Sequence, residues 1–166
     1  MDYKIHYNNW LKNVDEIDLK EELESMDELT IEDAFYRDLA FGTGGLRGII
    51  GAGTNRMNAY VVRKASQGLA SYLLSADSKQ PSIVIGYDSR IWSDVFAKTT
   101  VTVFAANGIR AWLWPELNPV PTVSFAIRRL HASAGVMITA SHNPAKYNGY
   151  KVYGSDGCQI TTEAAA

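Results

Sequence analysis

A three-layer α/β/α sandwich with a mostly parallel mixed sheet, preceded by an N-terminal helical arm, is the fold this sequence predicts. Three observations predict it. After Pro81, strand-length apolar runs alternate with helix-period segments. Their connections are short, and strand–helix–strand–helix–strand order with short loops marks right-handed crossovers between parallel strands. The first 38 residues also differ in charge from the rest: 12 Asp and Glu against 4 Lys and Arg, where residues 39–166 carry 6 against 12. The 166-residue chain, 46% hydrophobic and 20% charged, has the size and composition of one globular unit.

The elements follow in order. Residues 1–38 are read as the acidic helical arm, with Trp10, Leu11, Val14, Leu19, Leu23 and Met26 apolar at helical spacing. Thr30, with Asp33 three positions later, reads as the cap of a short helix through Tyr36. From residue 41 to 53, six glycines in 13 residues exclude a helix and fit a loop, a short strand and a turn. A long amphipathic helix from Asn58 sets Val61, Ala65, Leu69, Tyr72 and Leu73 on one stripe. Residues 82–87 read as a buried strand. Ser93 reads as the cap of a helix through Phe96 and Val103, with Asn107-Gly108 as its stop. Residues 109–114 form a second strand, Pro121 opens a helix carrying Val123, Ile127 and Leu130, and residues 134–138 form a third strand. Asn148-Gly149 reads as a tight turn into a last short strand.

Several function classes drop out. No apolar run approaches the roughly 20 residues that span a bilayer, and the first seven residues lack the apolar core of a signal peptide. Cys158 is the only cysteine, which excludes an internal disulfide. A cytoplasmic protein with no membrane partner is the expectation. The basic residues of 39–166 are too spread for a nucleic-acid stripe, so a small phosphate suits them better than DNA.

Function in such sheets gathers at the carboxyl edge of the strands. Three loops leave that edge: Asp88-Ser89-Arg90, Trp114-Pro115-Glu116 and Thr139-Ala140-Ser141-His142-Asn143-Pro144. Ser141 beside His142 invites a hydrolase reading. However, the G-x-S-x-G elbow is absent, and neighbours in an extended loop point apart, which keeps His142 from serving as base. Gly42, Gly44, Gly45 and Gly48 lack the following Lys-Ser or Lys-Thr of a phosphate loop, and the strand–loop–helix order of a dinucleotide site is missing. Arg47 among them can still approach a phosphate with bidentate geometry. Asp88, Asp94 and Asp156 are too scattered for a carboxylate metal cluster. Ser141 with Arg47, Arg90 and Lys151 could surround a phosphate, the serine acting as phosphoryl carrier and the cations offsetting a charge of about −1.5 to −2.

The run Thr139-Ala140-Ser141-His142-Asn143-Pro144-Ala145-Lys146-Tyr147-Asn148-Gly149-Tyr150-Lys151 closely resembles the phosphoserine loop of the α-D-phosphohexomutase superfamily. Phe41-Gly42-Thr43-Gly44-Gly45-Leu46-Arg47-Gly48 resembles that family's N-terminal active-site segment, and Gly86-Tyr87-Asp88-Ser89-Arg90 its Gly-x-Asp-x-Arg turn. All three stand in the family's order and spacing.

The resemblance covers the first of four family domains, here residues 39–166. It implies that Ser141 is phosphorylated and that Lys151 and Arg47 lie beside the transferring group for acid–base work and charge stabilisation. It further implies that His142, Asn143, Arg90 and Thr43 support the loop and the phosphate. A magnesium ion would be held mainly by the second domain, meeting this chain through the Ser141 phosphate, and glucose 1,6-bisphosphate would prime the enzyme. The implied reaction interconverts glucose 1-phosphate and glucose 6-phosphate, with mannose, glucosamine or a pentose as alternative sugars. The remaining three domains are the implied partners. Because the metal, sugar and distal phosphate loops belong to them, an isolated non-catalytic domain is the other expectation. Gly44, where many members have serine, and the acidic arm point to the longer-chain branch of phosphoglucomutases and phosphopentomutases. On the residues alone, Asn143 and Asn148 also fit as turn formers, and Arg90 as the partner of an acidic neighbour.

Overall fold

The computed structural model describes residues 2–42, 44–76 and 80–161. Its strands are β1 (Gly45–Ile49), β2 (Ser82–Tyr87), β3 (Arg110–Leu113), β4 (Ala134–Ile138) and β5 (Tyr147–Gly154). They form one sheet in the order β1-β5-β4-β2-β3. β2 runs parallel to β3 and β4, whereas β5 is antiparallel to both β4 and β1. Four strands therefore point one way and β5 alone is reversed, giving the mostly parallel mixed sheet that was expected.

Two helices, α4 (Ala59–Ser75) and α5 (Ser93–Ala106), cover one face, and α6 (Val120–Leu130) covers part of the other. Val62, Ala70, Leu73, Phe96 and Phe104 pack on Ile83, Ile85, Val136, Ile138 and Val152 in the first layer. Val123, Ala126 and Ile127 pack on Val84, Met137 and Tyr153 in the second. The period-2 alternation of a strand sends successive residues to opposite layers, so Ile83 and Val84 serve different cores. β4 is buried along its whole length, as a strand sandwiched on both faces must be. Phe104 is wholly buried, and truncating it to alanine would cost about 3–5 kcal/mol.

The arm comprises α1 (Tyr3–Asn13), α2 (Ile17–Ser25) and α3 (Glu28–Phe35). It closes its own small core of Val14, Leu19, Leu23, Ala34 and Phe35 against Ala52. Tyr7 and Trp10 each meet the Phe35 ring edge-on at 5.7 Å, and Trp10 leans on Tyr60 at 5.1 Å. Docking is polar at the rim. Ala52 N donates to Glu22 Oε2 at 3.0 Å, and Asn55 N donates to Ala34 O at 2.9 Å. The arm thus sits on the β1–α4 connection and the first turn of α4.

Several local expectations need correction. The cap of α3 is Asp27, whose carboxylate accepts from Thr30 N at 2.8 Å, so Thr30 lies inside the helix. Ser93 is the first residue of α5, with Trp92 in the left-handed region (φ 62°) before it. The buried stripe of α4 is Val62, Ser66, Ala70 and Leu73; of the expected residues Leu73 belongs to it, Val61, Ala65 and Leu69 pack half-buried against the same core, and Tyr72 is exposed. Asn148-Gly149 is no turn: both residues lie inside β5, pairing with β1. Among the described residues, no helix is long and apolar enough to cross a membrane.

Candidate functional site

Because β2, β3 and β4 are parallel, the chain leaves all three at the same edge, and their loops converge there. Residues 139–146 join β4 to β5 across that edge. Ser141 is exposed and holds φ 55°, in the left-handed region, which costs a non-glycine residue about 1–3 kcal/mol. Two bonds brace the bend: Ser141 N donates to Thr139 Oγ1 at 3.0 Å, and Asn143 N to Ala140 O at 3.1 Å. This bend overturns one expectation. His142 Nδ1 stands 3.4 Å from Ser141 Oγ, because a left-handed residue folds its neighbour back where an extended one would splay it. The distance is long for a hydrogen bond.

Arg47 and Lys151 come together on the neighbouring strands. Arg47 of β1 pairs with Gly149 of β5, and Lys151 pairs with Gly45. Paired residues of an antiparallel ladder share a face, and Gly149 and Lys151 are two apart, so both cations lie on the same face. The close approach requires glycine. A Cβ at Gly149 would stand 2.6 Å from Thr139 O and 2.7 Å from Leu46 O. Burial holds the Lys151 ammonium below its ordinary pKa, and the Arg47 charge lowers it further, against a smaller upward pull from Asp88. Among the described residues, no carboxylate forms an ion pair with either cation.

Arg90 supports the loop, as the resemblance implies, and it pairs with an acidic neighbour, the reading its residues left open. Its Nη2 donates to Ser141 O and Asn143 O at 2.6 Å each, and its Nη1 to Pro144 O at 3.1 Å and Tyr147 O at 3.0 Å. Nε lies 3.6 Å from Asp88 Oδ2. Both Nη groups thus face the loop and Nε faces Asp88. Asn143 is half-buried, with its Oδ1 enclosed and unpartnered among the described residues. Thr43 lies outside the described residues.

Sequence reasoning placed Asp88 in a loop at this edge but gave it no role, and it missed Ser93 and Asn148 there. The Asp-x-Arg spacing was a usable signal for Asp88, since its Oδ1 accepts from Arg90 N two residues on at 3.0 Å. Among the described residues, no group of three or more His, Cys, Asp or Glu could hold a metal ion. Two clefts lie off the edge. One of about 510 Å³ lies between α1 and α4, with Trp10, Phe41 and Tyr60 on its walls. The other, about 790 Å³, lies beside α4 and β5. Neither is lined by Ser141, Arg47 or Lys151; Ser141 and Arg47 are exposed, and Lys151 is half-buried.

The comparisons with known proteins agree with one another. The family described as "Phosphoglucomutase/phosphomannomutase, alpha/beta/alpha domain I" matches residues 38–166. A phosphoglucomutase of Staphylococcus epidermidis is 42% identical over 159 residues, covering 96% of this chain and 29% of that protein. Its counterpart in Staphylococcus aureus USA300 is 42% identical over 156 residues, covering 94% and 28%. A solved structure from Thermus thermophilus, assigned as a phosphomannomutase, superposes with a TM-score of 0.71 at 32% identity, over 78% of this chain and 28% of that one. The chain therefore spans less than a third of the curated relatives it matches. With the sheet, the serine bend and the paired strands of Arg47 and Lys151 all in that region, the chain belongs to the phosphoglucomutase/phosphomannomutase family as its α/β/α domain I.

Proposed function

We propose that this chain is the phosphoserine-bearing first domain of a sugar phosphomutase that interconverts glucose 1-phosphate and glucose 6-phosphate through glucose 1,6-bisphosphate. The observation that carries the reading is an exposed serine in a left-handed bend on the same edge as two cations that no described carboxylate pairs. Phosphoryl transfer asks of a protein chiefly positioning and charge neutralisation.

In the first half-reaction, a sugar hydroxyl oxygen attacks the phosphorus on Ser141, the P–Oγ bond breaks, and the hydroxyl proton passes to a base. In the second, Ser141 Oγ loses its proton and attacks the other phosphate of the bisphosphate, the bond from that phosphorus to the sugar oxygen breaks, and the sugar oxygen takes up a proton as the product leaves. Lys151 suits proton transfer because its surroundings favour the neutral form more than water does. The Arg47 guanidinium stabilises charge on the transferring group. His142, 3.4 Å from Oγ, and Asn143 complete the loop's polar groups. Magnesium supplies charge neutralisation on phosphoryl oxygens when bound. The described residues offer it no cluster of their own, so from this chain only a phosphate on Ser141 would meet it.

The names of the curated relatives favour glucose. Mannose, glucosamine and pentose phosphates share the chemistry and remain substrates to compare. The remaining three family domains are the partners that this reading requires, and a cytoplasmic location goes with it. For the 166-residue chain by itself, the reading is sugar-phosphate binding without turnover.

The test is to assay the complete protein and its Ser141→Ala variant on glucose, mannose, glucosamine and ribose 1-phosphates, with magnesium and a bisphosphate primer. Turnover of one sugar, lost in the variant, is the expected result and identifies the substrate. Turnover retained in the variant, or none of any sugar by the parent protein, overturns the reading.

A further inference from the structure

Four side chains that touch no substrate in this reading form one continuous path from the lysine strand to the serine loop. It starts at Asn148 on β5, three residues before Lys151. The Asn148 Nδ2 donates to Ile91 O at 2.9 Å and to Ser93 Oγ at 3.0 Å. Ser93 Oγ donates onward to Asp88 Oδ1 at 2.9 Å. Asp88 holds Arg90 twice, accepting from its backbone N through Oδ1 and facing its Nε with Oδ2. Arg90 ends the path on the four carbonyls of residues 141, 143, 144 and 147. Asn148 and Ser93 are wholly buried, and the Arg90 side chain is 13% exposed, so water competes little for these bonds.

We propose that Asn148, Ser93, Asp88 and Arg90 are positioning residues that set Ser141 against Lys151 and Arg47; this rests on the phosphoryl-transfer reading. The energies permit it. Several hydrogen bonds to one charged group together outweigh the backbone strain of a single left-handed serine. The geometry adds a second effect. In a trans peptide the N–H points opposite the C=O, and no peptide among the described residues is cis. Tethering Ser141 O and Pro144 O on Arg90 therefore turns the amides of His142 and Ala145 away from the guanidinium. Neither amide finds a backbone acceptor among the described residues, which leaves both donors to an anionic oxygen.

The relay is tested in two arms. In the 166-residue chain, Arg90→Ala should speed amide hydrogen exchange at Ser141, Asn143 and Tyr147, the loop amides that are hydrogen-bonded, by about tenfold or more while β2 and β4 keep their protection. Added guanidinium ion should restore the slow exchange, and ethylammonium should not, because only the planar fork reaches several carbonyls at once. In the complete protein, the same variant should lose about 10²-fold in kcat with KM within about threefold, and guanidinium should recover part of it. Ser93→Ala should move both readouts the same way by less, and it decides the matter if Arg90→Ala does not fold. Unchanged exchange, faster exchange with unchanged kcat, or a loss confined to KM overturns the relay. An inactive parent protein would instead sink the mutase reading, and the exchange arm would still show whether Arg90 holds the loop.

Discussion

Two groups of cations in this chain meet opposite conditions. Beside the arm, Arg56 pairs with Asp33, Lys64 with Asp38, and Arg63 lies 3.4 Å from Glu16. At the carboxyl edge, Arg47 and Lys151 crowd each other, and the nearby Asp88 is already engaged by Arg90 and Ser93. The first group is neutralised within the molecule, and its work ends with docking the arm. The second is matched by no described carboxylate, so an anion from outside lowers its energy. Like charges held together at a cost to the fold are a mark of binding and catalytic sites. The charge contrast between residues 1–38 and 39–166 thus divides into one part that cancels on folding and one that does not.

Mutations can break this contrast in descending order of effect. Removing the phosphoryl carrier with Ser141→Ala should lower turnover of the complete protein by at least about 10⁴-fold in steady-state assays. Lys151→Met should cost about 10²–10³-fold, mostly in kcat.

The same lysine variant should make the isolated chain more stable, which is the sharpest difference from the docking cations. Lys151 has a lowered pKa in the folded state, so between that value and the ordinary 10.5 the unfolded chain binds more protons. Its penalty is therefore full below that window, and stability from this group rises as pH climbs through it. Unfolding curves across alkaline pH should show the wild type gaining on Lys151→Met, and parallel curves would contradict the assignment. Arg56→Ala should lower stability by about 1 kcal/mol, since its side chain is 11% exposed and packs as well as pairs. Lys64→Ala, on an exposed pair, should change stability by less than about 0.5 kcal/mol in urea melts.

Much of the fold was legible because it rests on local pattern. The apolar runs of β2 and β4, the stop at Asn107-Gly108 and Pro121 in the first turn of α6 are written in neighbouring residues. What was misread depends on partners distant in sequence. Asn148-Gly149 has turn chemistry, yet Asn148 finds its donors' acceptors 55 and 57 residues away and stays in a buried strand. Ser93 looked like a cap because its hydroxyl's real partner, Asp88, is brought close only by the loop before α5. The insertion of β5, reversed, between β1 and β4 cannot be read from periodicity, which carries no strand order. At the site, the motifs singled out Ser141, Arg47, Arg90 and Lys151. The left-handed bend that brings His142 to 3.4 Å and turns Arg90 onto the loop is a product of packing.

In the proposed function, Arg47 and Lys151 form a site that a phosphate completes. The most direct test is an NMR titration of the Lys151 ammonium in the 166-residue chain, assigned with Lys151→Met, without and with saturating inorganic phosphate. The midpoint should lie below 10.5 in the free chain and move upward when phosphate is present, because the anion stabilises the charged form. A midpoint at or above 10.5 that phosphate leaves unmoved would contradict it.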